Sequence, residues 1–114
     1  MIAVIFEVCP HTCSKQEYLA IAASLAALLA EIDGFISIER FQSLKQPEKI
    51  LSLSFWRDEN AVQSWRNTEE HRAAQSQGRV AIFADYRLRI ATIVRDYGLL
   101  DREQAPQDSR AIHG

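Results

Sequence analysis

Residues 35–56 carry the sequence FISIERFQSLKQPEKILSLSFW, which predicts an antiparallel β-hairpin. Two runs rich in β-branched and aromatic residues, 35–44 and 50–56, flank a short polar linker that contains Pro47. Alternation along the first run places two sets of side chains on opposite faces: Phe35, Ser37, Glu39 and Phe41 on one, and Ile36, Ile38, Arg40 and Gln42 on the other. Because both faces carry apolar groups, we expect a sheet that is covered on both sides.

A strand and a helix precede this hairpin. Residues 2–8 are apolar at nearly every position, as in a strand that is buried on both faces, and Pro10 ends the run. Ser14, with Glu17 three residues later, predicts a capping box. Apolar residues then recur at helical spacing over 15–32 before Gly34, which suits a helix stop.

Two short helices and a last strand follow the hairpin. Asp58 is predicted to cap a helix through Arg66, and Asn67 or Thr68 a second helix that reaches Gln77 and stops at Gly78. Residues 86–97 alternate as a long strand, which closes a domain predicted over 1–97. The tail, 98–114, is polar and aperiodic, and we expect it either to be mobile or to wrap a partner subunit.

The resulting order, β-α-β-β-α-β, is the ferredoxin-like α+β plan with an antiparallel sheet. In such a fold the helices cover one face of the sheet only. Strands that are apolar on both faces therefore need a second cover. The economical cover is a second copy of the chain, packed sheet against sheet as a homodimer.

Composition excludes several classes of function. With 47% apolar and 25% charged residues over 114 positions, the chain is an ordinary globular domain. A net charge of −2 argues against a protein that binds nucleic acid or an anionic membrane. The longest uncharged run, 18–30, is shorter than the roughly 20 residues that cross a bilayer, and residues 1–8 lack a basic leader. We therefore expect a cytoplasmic protein.

The cysteines Cys9 and Cys13 lie four positions apart, with His11 between them. A structural zinc site uses four ligands in separated pairs, and the sequence offers no second pair. We interpret the two residues as reduced thiols, with a local disulfide or an adventitious metal contact as alternatives, and predict no metal site.

Three stretches resemble the antibiotic biosynthesis monooxygenase domain family, in particular its small single-domain bacterial branch. They are residues 34–40 (GFISIER), residues 53–66 (LSFWRDENAVQSWR), and residues 70–89, which include EHRAAQ and YRLR. The likeness covers about residues 1–97. It implies a dimeric α+β barrel with a pocket between the helices and the sheet of each subunit. It also implies oxygenation of phenols, anthrones or quinols by O₂ without metal or flavin, although some relatives degrade haem.

The haem alternative can be tested on the residues. The resemblance to haem-degrading relatives requires a tryptophan on the second helix, an iron-binding histidine ten positions later, and an asparagine in the first strand. Trp65 is present, but the later position holds Gln75 and the first strand offers Glu7. His71 lies one helical turn too early. Because an amide does not replace imidazole on iron, we predict no haem and no other cofactor.

An oxygenase without a cofactor needs its substrate to supply electrons to O₂. It therefore needs a base that makes a substrate anion, groups that stabilise negative charge, and an apolar cavity. We assign the base to His71, the platform for a ring to Trp65, and the polar contacts to Arg40 and Tyr86. Each has a structural alternative: an exposed helix histidine, a core tryptophan, an ion-paired arginine and a packed tyrosine.

The same question of ion pairing or cavity lining applies to Arg79, Arg87 and Arg89. Taken together, the sequence predicts a cofactor-independent monooxygenase that acts on a small electron-rich aromatic molecule such as a phenol, quinol or anthrone. The alternative is a dimeric module of the same fold that binds a small ligand or serves in a stress response without catalysis, because a fold alone does not dictate chemistry.

Overall fold

A computed structural model describes residues 1–12 and 14–114, without the side chains of residues 80 and 81. The elements are β1 (Ile2–Pro10), α1 (Lys15–Ala30), β2 (Phe35–Gln42), β3 (Ile50–Trp56), α2 (Glu59–Arg66), α3 (Glu69–Gln77), a π-helix (Gly78–Ile82), β4 (Phe83–Thr92) and α4 (Gln107–His113). The interpretation of the cysteine pair lies outside the described residues because it depends on Cys13.

The four strands form one antiparallel sheet in the order β2-β3-β1-β4, which confirms the ferredoxin-like α+β fold. The pairing places Ile38, Ser54, Val4 and Ile90 side by side across the sheet. They lie on the side of the sheet that faces α1, α2 and α3, together with Phe6, Arg40, Ser52 and Leu88, each two positions away along its strand. The helices therefore cover one face, as predicted. Among the described residues, no helix is long and apolar enough to cross a membrane.

The helix α1 begins without the predicted capping box. Ser14 is its N-terminal cap, but its side chain makes no capping hydrogen bond, and the backbone at ψ 1° is not extended as a capping serine requires. The backbone instead closes the first turn, with Tyr18 N donating to Ser14 O at 2.9 Å. The apolar stripe packs inward as expected, and Tyr18, Ala22 and Leu29 are buried.

The two helices that follow the hairpin begin at capping side chains that the sequence predicts. Asp58 accepts a hydrogen bond from Ala61 N at 2.9 Å. Thr68 accepts one from His71 N at 3.2 Å, and its hydroxyl donates to Trp65 O at 2.9 Å. The threonine therefore closes the end of α2 and the start of α3 at one turn.

The helix α3 ends at Gln77 with Gly78 as its C-terminal cap, as predicted, but the glycine does not adopt a left-handed conformation. It has helical dihedral angles, φ −60° and ψ −48°, and the chain continues as the π-helix to Ile82. A glycine is needed here for space: a Cβ atom at this position would lie 2.5 Å from Cε2 of Phe83. The predicted end of the α-helix is therefore confirmed, but the glycine is required by a neighbouring ring and not by a left-handed backbone.

The start of β2 departs from strict alternation. Phe35 pairs with Trp56 but Ser37 pairs with Phe55, so Ile36 is an extra residue in a bulge. The bulge turns Phe35 into the core, where its ring centroid lies 5.2 Å from that of Trp56. It leaves Ile36 53% exposed. The predicted face of Phe35 was therefore wrong, whereas Ile38 and Arg40 share the helix-facing side as expected.

The last strand spans 83–92 and not 86–97. It begins early because β1 runs to Pro10, which pairs with Phe83 beyond a bulge. It ends early because β1 begins at Ile2, which pairs with Thr92, and Ile93 N makes the final bond to Met1 O. Beyond that point the strand has no neighbour to pair with.

The tail contains the helix α4, where the sequence predicted no regular structure. Arg102 organises this segment: it donates to Gly114 O at 2.8 Å and to Ser109 Oγ at 2.6 Å, and its guanidinium lies 5.3 Å from the centre of the Tyr97 ring. Arg110 adds a bond to Ala105 O at 3.1 Å. The seven residues of α4, QDSRAIH, carry no apolar period, so the sequence did not predict this helix. The domain boundary at residue 97 stays a prediction.

The face of the sheet that points away from the helices, called the outer face here, is largely apolar. Ile5, Leu51, Leu53 and Phe55 are half-buried on it, and Phe41 is 43% exposed. Its charged pair is Arg89 with Glu7, at 3.4 Å. Apolar side chains thus occupy both faces of the sheet, as the sequence predicts.

Candidate active site

A cavity of about 420 Å³ lies between the sheet and the helices. All four strands contribute to its floor, which includes Val4, Phe6, Ile38, Arg40, Leu88 and Ile90. The helices contribute the roof, which includes Tyr18, Ile21, Leu25, Val62, Trp65 and His71. This volume suits a small molecule, and the walls are mainly apolar.

The hollow follows from the sequence of β3. Its helix-facing side chains are, in order, Ile50, Ser52, Ser54 and Trp56, and all four are buried. Large groups at both ends hold the helices away from the sheet, and the two serines leave space between them. Ser54 Oγ also accepts a hydrogen bond from Trp56 Nε1 at 2.9 Å, which fixes the indole. These serines were not predicted as cavity residues, although large and small side chains alternate along this face of β3.

Trp65 and His71 form a ring pair in the roof. Their ring centroids lie 5.0 Å apart at an interplanar angle of 57°. Trp65 is 7% exposed and belongs to the core cluster around Leu29 and Trp56, yet it also lines the cavity. Its two predicted roles, core residue and cavity wall, therefore coincide. Thr68 holds the pair in place because it bonds the backbone of both residues.

The imidazole of His71 is half-buried, and its Nδ1 atom is buried without a hydrogen-bond partner among the described residues. Burial lowers the pKa of His71 below its ordinary value of 6.5, and the positive charge of Arg66 lowers it further. The ring is therefore neutral near pH 7, so one of its nitrogens can accept a proton.

Arg40 lies in the middle of β2 on the cavity side, beside Ser52 of the neighbouring strand. No ion pair joins it to a carboxylate in the described part of the chain, and its Nε atom is buried without a hydrogen-bond partner there. The sequence left two alternatives for Arg40, an ion pair with a carboxylate or a position in the cavity wall. In the structure Arg40 lies in the cavity wall.

Tyr86 lies at the other side of the floor, in an aromatic group with Phe6 and Phe83 at centroid distances of 5.7 and 5.8 Å. Its hydroxyl accepts a hydrogen bond from Arg79 at 3.0 Å. Arg79 therefore belongs to the cavity, whereas Arg89 pairs with Glu7 on the outer face.

All four candidate residues of the sequence analysis, His71, Trp65, Arg40 and Tyr86, line this one cavity. Gln75, the residue at the position of a haem-ligating histidine, lines it too. The sequence analysis missed further lining residues, notably Arg66, Arg72 and Phe83. The first two are the sequence neighbours of Trp65 and His71, but adjacent helical residues do not share a face, and nothing local in the sequence identifies Phe83.

Comparison with known proteins identifies a matching family and similar sequences. The sequence model of the family described as antibiotic biosynthesis monooxygenase matches residues 1–77. A jasmonate monooxygenase of Pyricularia oryzae is 50% identical over 93 residues, which cover 82% of this chain and 43% of that protein. The uncharacterized protein YqjZ of Bacillus subtilis is 29% identical over 75 residues, 65% of this chain and 63% of that protein. The chain thus spans less than two thirds of either relative.

Solved structures share the fold at low identity. A protein of Mycobacterium tuberculosis superposes with a TM-score of 0.76 at 13% identity, covering 85% of this chain and 98% of that one. A conserved protein of Methanosarcina mazei gives 0.72 at 19%, covering 79% and 89%. A crystal structure described as antibiotic biosynthesis monooxygenase gives 0.71 at 16%, covering 82% and 99%.

Proposed function

This chain belongs to the antibiotic biosynthesis monooxygenase family, and from that membership we propose that its cavity is the active site of a cofactor-independent monooxygenase. The substrate class we propose is a small electron-rich aromatic molecule of the phenol, quinol or anthrone type. The observation that supports this most is the ring pair, in which His71 presents a buried nitrogen without a partner beside the indole of Trp65.

His71 is the proposed base. A neutral imidazole removes a proton from the substrate, and the resulting anion transfers an electron to O₂. Oxidation of a ring CH₂ group to a carbonyl balances this chemistry: one oxygen atom enters the product, the other leaves as water with the two hydrogens, and the substrate supplies all four electrons. The lowered pKa of His71 keeps the base unprotonated at neutral pH.

Arg40 and Tyr86 are the proposed polar contacts. Negative charge develops first on the substrate and then on reduced oxygen, and preorganised donors in a low-dielectric cavity stabilise such charge strongly. The guanidinium of Arg40, whose Nε atom is buried, and the hydroxyl of Tyr86, which Arg79 orients, supply these donors. The apolar walls keep water from competing for them.

Oxygen consumption tests the proposal. The panel contains anthrones and quinols, together with jasmonate because a relative bears that substrate in its name. We expect turnover by the native chain and a loss of about 10²–10⁴-fold in His71→Ala, the usual contribution of a positioned base. His11→Ala, at an exposed loop position, is the matched control and should retain full activity.

Two results would contradict the assignment: no turnover with any member of the panel, or equal turnover by His71→Ala. A ligand that raises Tm without oxygen uptake would instead support the non-catalytic binding module. Haem is the third candidate ligand. The amide of Gln75 does not suit iron, so we expect added haem to give no Soret band of a bound complex, with free haem as the reference.

We propose further that the chain is a homodimer through its outer face. Apolar side chains such as Leu53 and Phe41 on a sheet face need a cover, and a second sheet offers a matching one. Sedimentation is expected to give twice the 13.0 kDa chain mass. Leu53→Lys should yield monomers, whereas Ser64→Lys on the exposed side of α2 should not. A native monomer at micromolar concentration would refute the dimer.

A further inference from the structure

The charges that line the cavity all have one sign. Four arginines contribute to its walls, Arg40, Arg66, Arg72 and Arg79, and no aspartate or glutamate does so among the described residues. None of the four makes an ion pair with a carboxylate in that part of the chain. The whole chain has a net charge of −2, so the positive charge is a local property of the cavity.

Arg40 differs from the other three in its depth. Its Nε atom is buried without a partner, and the residues beside it on the floor are Ser52 and Ile38. A buried charged donor without a partner is costly, and the cost is recovered when an acceptor occupies the space in front of it. A planar carboxylate matches the fork of a guanidinium better than a neutral oxygen does.

The remaining three arginines lie nearer the solvent. Arg66 and Arg72 are exposed, and Arg79 is exposed while it donates to Tyr86. Charges at the mouth of a low-dielectric cleft raise the local concentration of an anion and speed its entry. Because the rest of the wall is apolar, a simple inorganic anion would leave most of the cavity unfilled.

We propose that the cavity binds a small apolar molecule that carries a free carboxylate, and that Arg40 holds this carboxylate. The inference rests on the proposed function only in taking the same cavity as the substrate site. The carboxylate is distinct from the reacting ring: it anchors one end of the molecule at Arg40 while the apolar body lies against Trp65. For such a substrate Arg40 is occupied, and Tyr86 remains as the donor toward the reacting ring.

The test is a binding experiment that involves no turnover. The probes are 4-cyclohexylbutyrate and 4-cyclohexylbutanamide, which share an apolar body and differ in the charge of the head group. Trp56 and Trp65 both line the cavity, so their fluorescence reports occupancy, and calorimetry gives the stoichiometry. We expect the acid to bind at least about tenfold more tightly than the amide, the effect of one hydrogen bond to a charged group.

Arg40→Met should abolish this preference, because it weakens binding of the acid more than binding of the amide. The matched control is Arg87→Met, since Arg87 lies on the outer face of β4, and it should keep the preference. Equal binding of acid and amide by the native chain overturns the proposal, as does an acid preference that survives in Arg40→Met. If Arg40→Met fails to fold, Arg40→Lys replaces it. The ratio of the affinities for acid and amide should then be lower in Arg40→Lys than in the native chain, and an unchanged ratio overturns the proposal.

The two proposals fail separately. A clear acid preference without oxygen uptake on any member of the panel, the anthrones, the quinols and jasmonate, removes the monooxygenase and leaves the carboxylate site. Turnover of neutral quinols, combined with equal binding of acid and amide, removes the carboxylate site and leaves the monooxygenase.

Discussion

Gly78→Ala tests the contact that joins the π-helix to the cavity wall. The backbone at Gly78 is helical, so alanine fits its dihedral angles without strain. The new methyl group, however, would lie 2.5 Å from Cε2 and 2.6 Å from Cζ of Phe83. The ring cannot turn aside freely, because it packs against Phe6, Tyr18 and Tyr86 at centroid distances between 5.7 and 5.9 Å.

Two effects of opposite sign determine the magnitude. Replacing glycine by alanine in a helix stabilises the fold by about 1 kcal/mol. Forcing a methyl group into a packed aromatic group costs about 1–3 kcal/mol. We therefore expect the free energy of unfolding to fall by about 1 kcal/mol, which corresponds to a decrease of about 4 °C in Tm for a chain of this size.

Urea denaturation followed by tryptophan fluorescence measures this change. Gly98→Ala is the control, because a Cβ atom there meets nothing within 4 Å. Phe83→Leu removes the ring, and in that background Gly78→Ala should become stabilising, with a coupling energy of about 1–2 kcal/mol. If Gly78→Ala stabilises the native chain, or if the cycle shows no coupling, then the ring does not impose the glycine.

Three further outcomes follow from the same contacts. Thr68→Val should lower the free energy of unfolding by about 1 kcal/mol, since it removes the cap of α3 and the bond to Trp65 O, whereas Thr68→Ser should cost little; thermal melts compare them. Because the pKa of His71 is lowered on folding, its contribution to stability is complete above pH 6.5 and is lost as the pH falls through the lowered value. His71→Asn should lose this dependence in a pH series of denaturation curves, and a slope equal to that of the native chain would argue against burial of the imidazole. Gly34→Ala should lower the free energy of unfolding by about 2 kcal/mol or more in urea, because φ is +92° and the new Cβ would lie 2.7 Å from that of Ala61; a change within error would contradict the left-handed geometry.

The parts of the fold that are determined locally could be predicted from the sequence. The hairpin over 35–56, the cap Asp58 and the order of elements follow from spacing and turn chemistry within a few residues, and the second cap was narrowed to Asn67 or Thr68, of which the structure shows Thr68. The features that depend on distant neighbours could not. The ends of β4 are set by where β1 begins and ends, and Gly78 is required by a ring that no local pattern connects to it.

In the candidate site, too, the local features could be predicted from the sequence and those that depend on distant residues could not. Trp65 and His71 come together across one turn, so their proximity could be inferred from the sequence. The environment of Arg40 could not, because it depends on which side chain lies opposite on β3. That neighbour is Ser52 and not a carboxylate, which leaves the guanidinium facing the cavity. The collection of arginines around the mouth likewise arises only when α2, α3 and the π-helix are assembled.

The two serines of β3, Ser52 and Ser54, link the presence of the cavity to the stability of the domain. An apolar residue at Ser52 or Ser54 would fill space that the described chain leaves empty, and tighter packing of this kind usually stabilises a domain. The cavity volume available to a ligand is therefore gained at the expense of the free energy of unfolding. Selection for thermal stability alone would be expected to replace these two serines by larger apolar residues. A chain that retains both serines keeps a cavity that a ligand can occupy, and it is less stable for that reason.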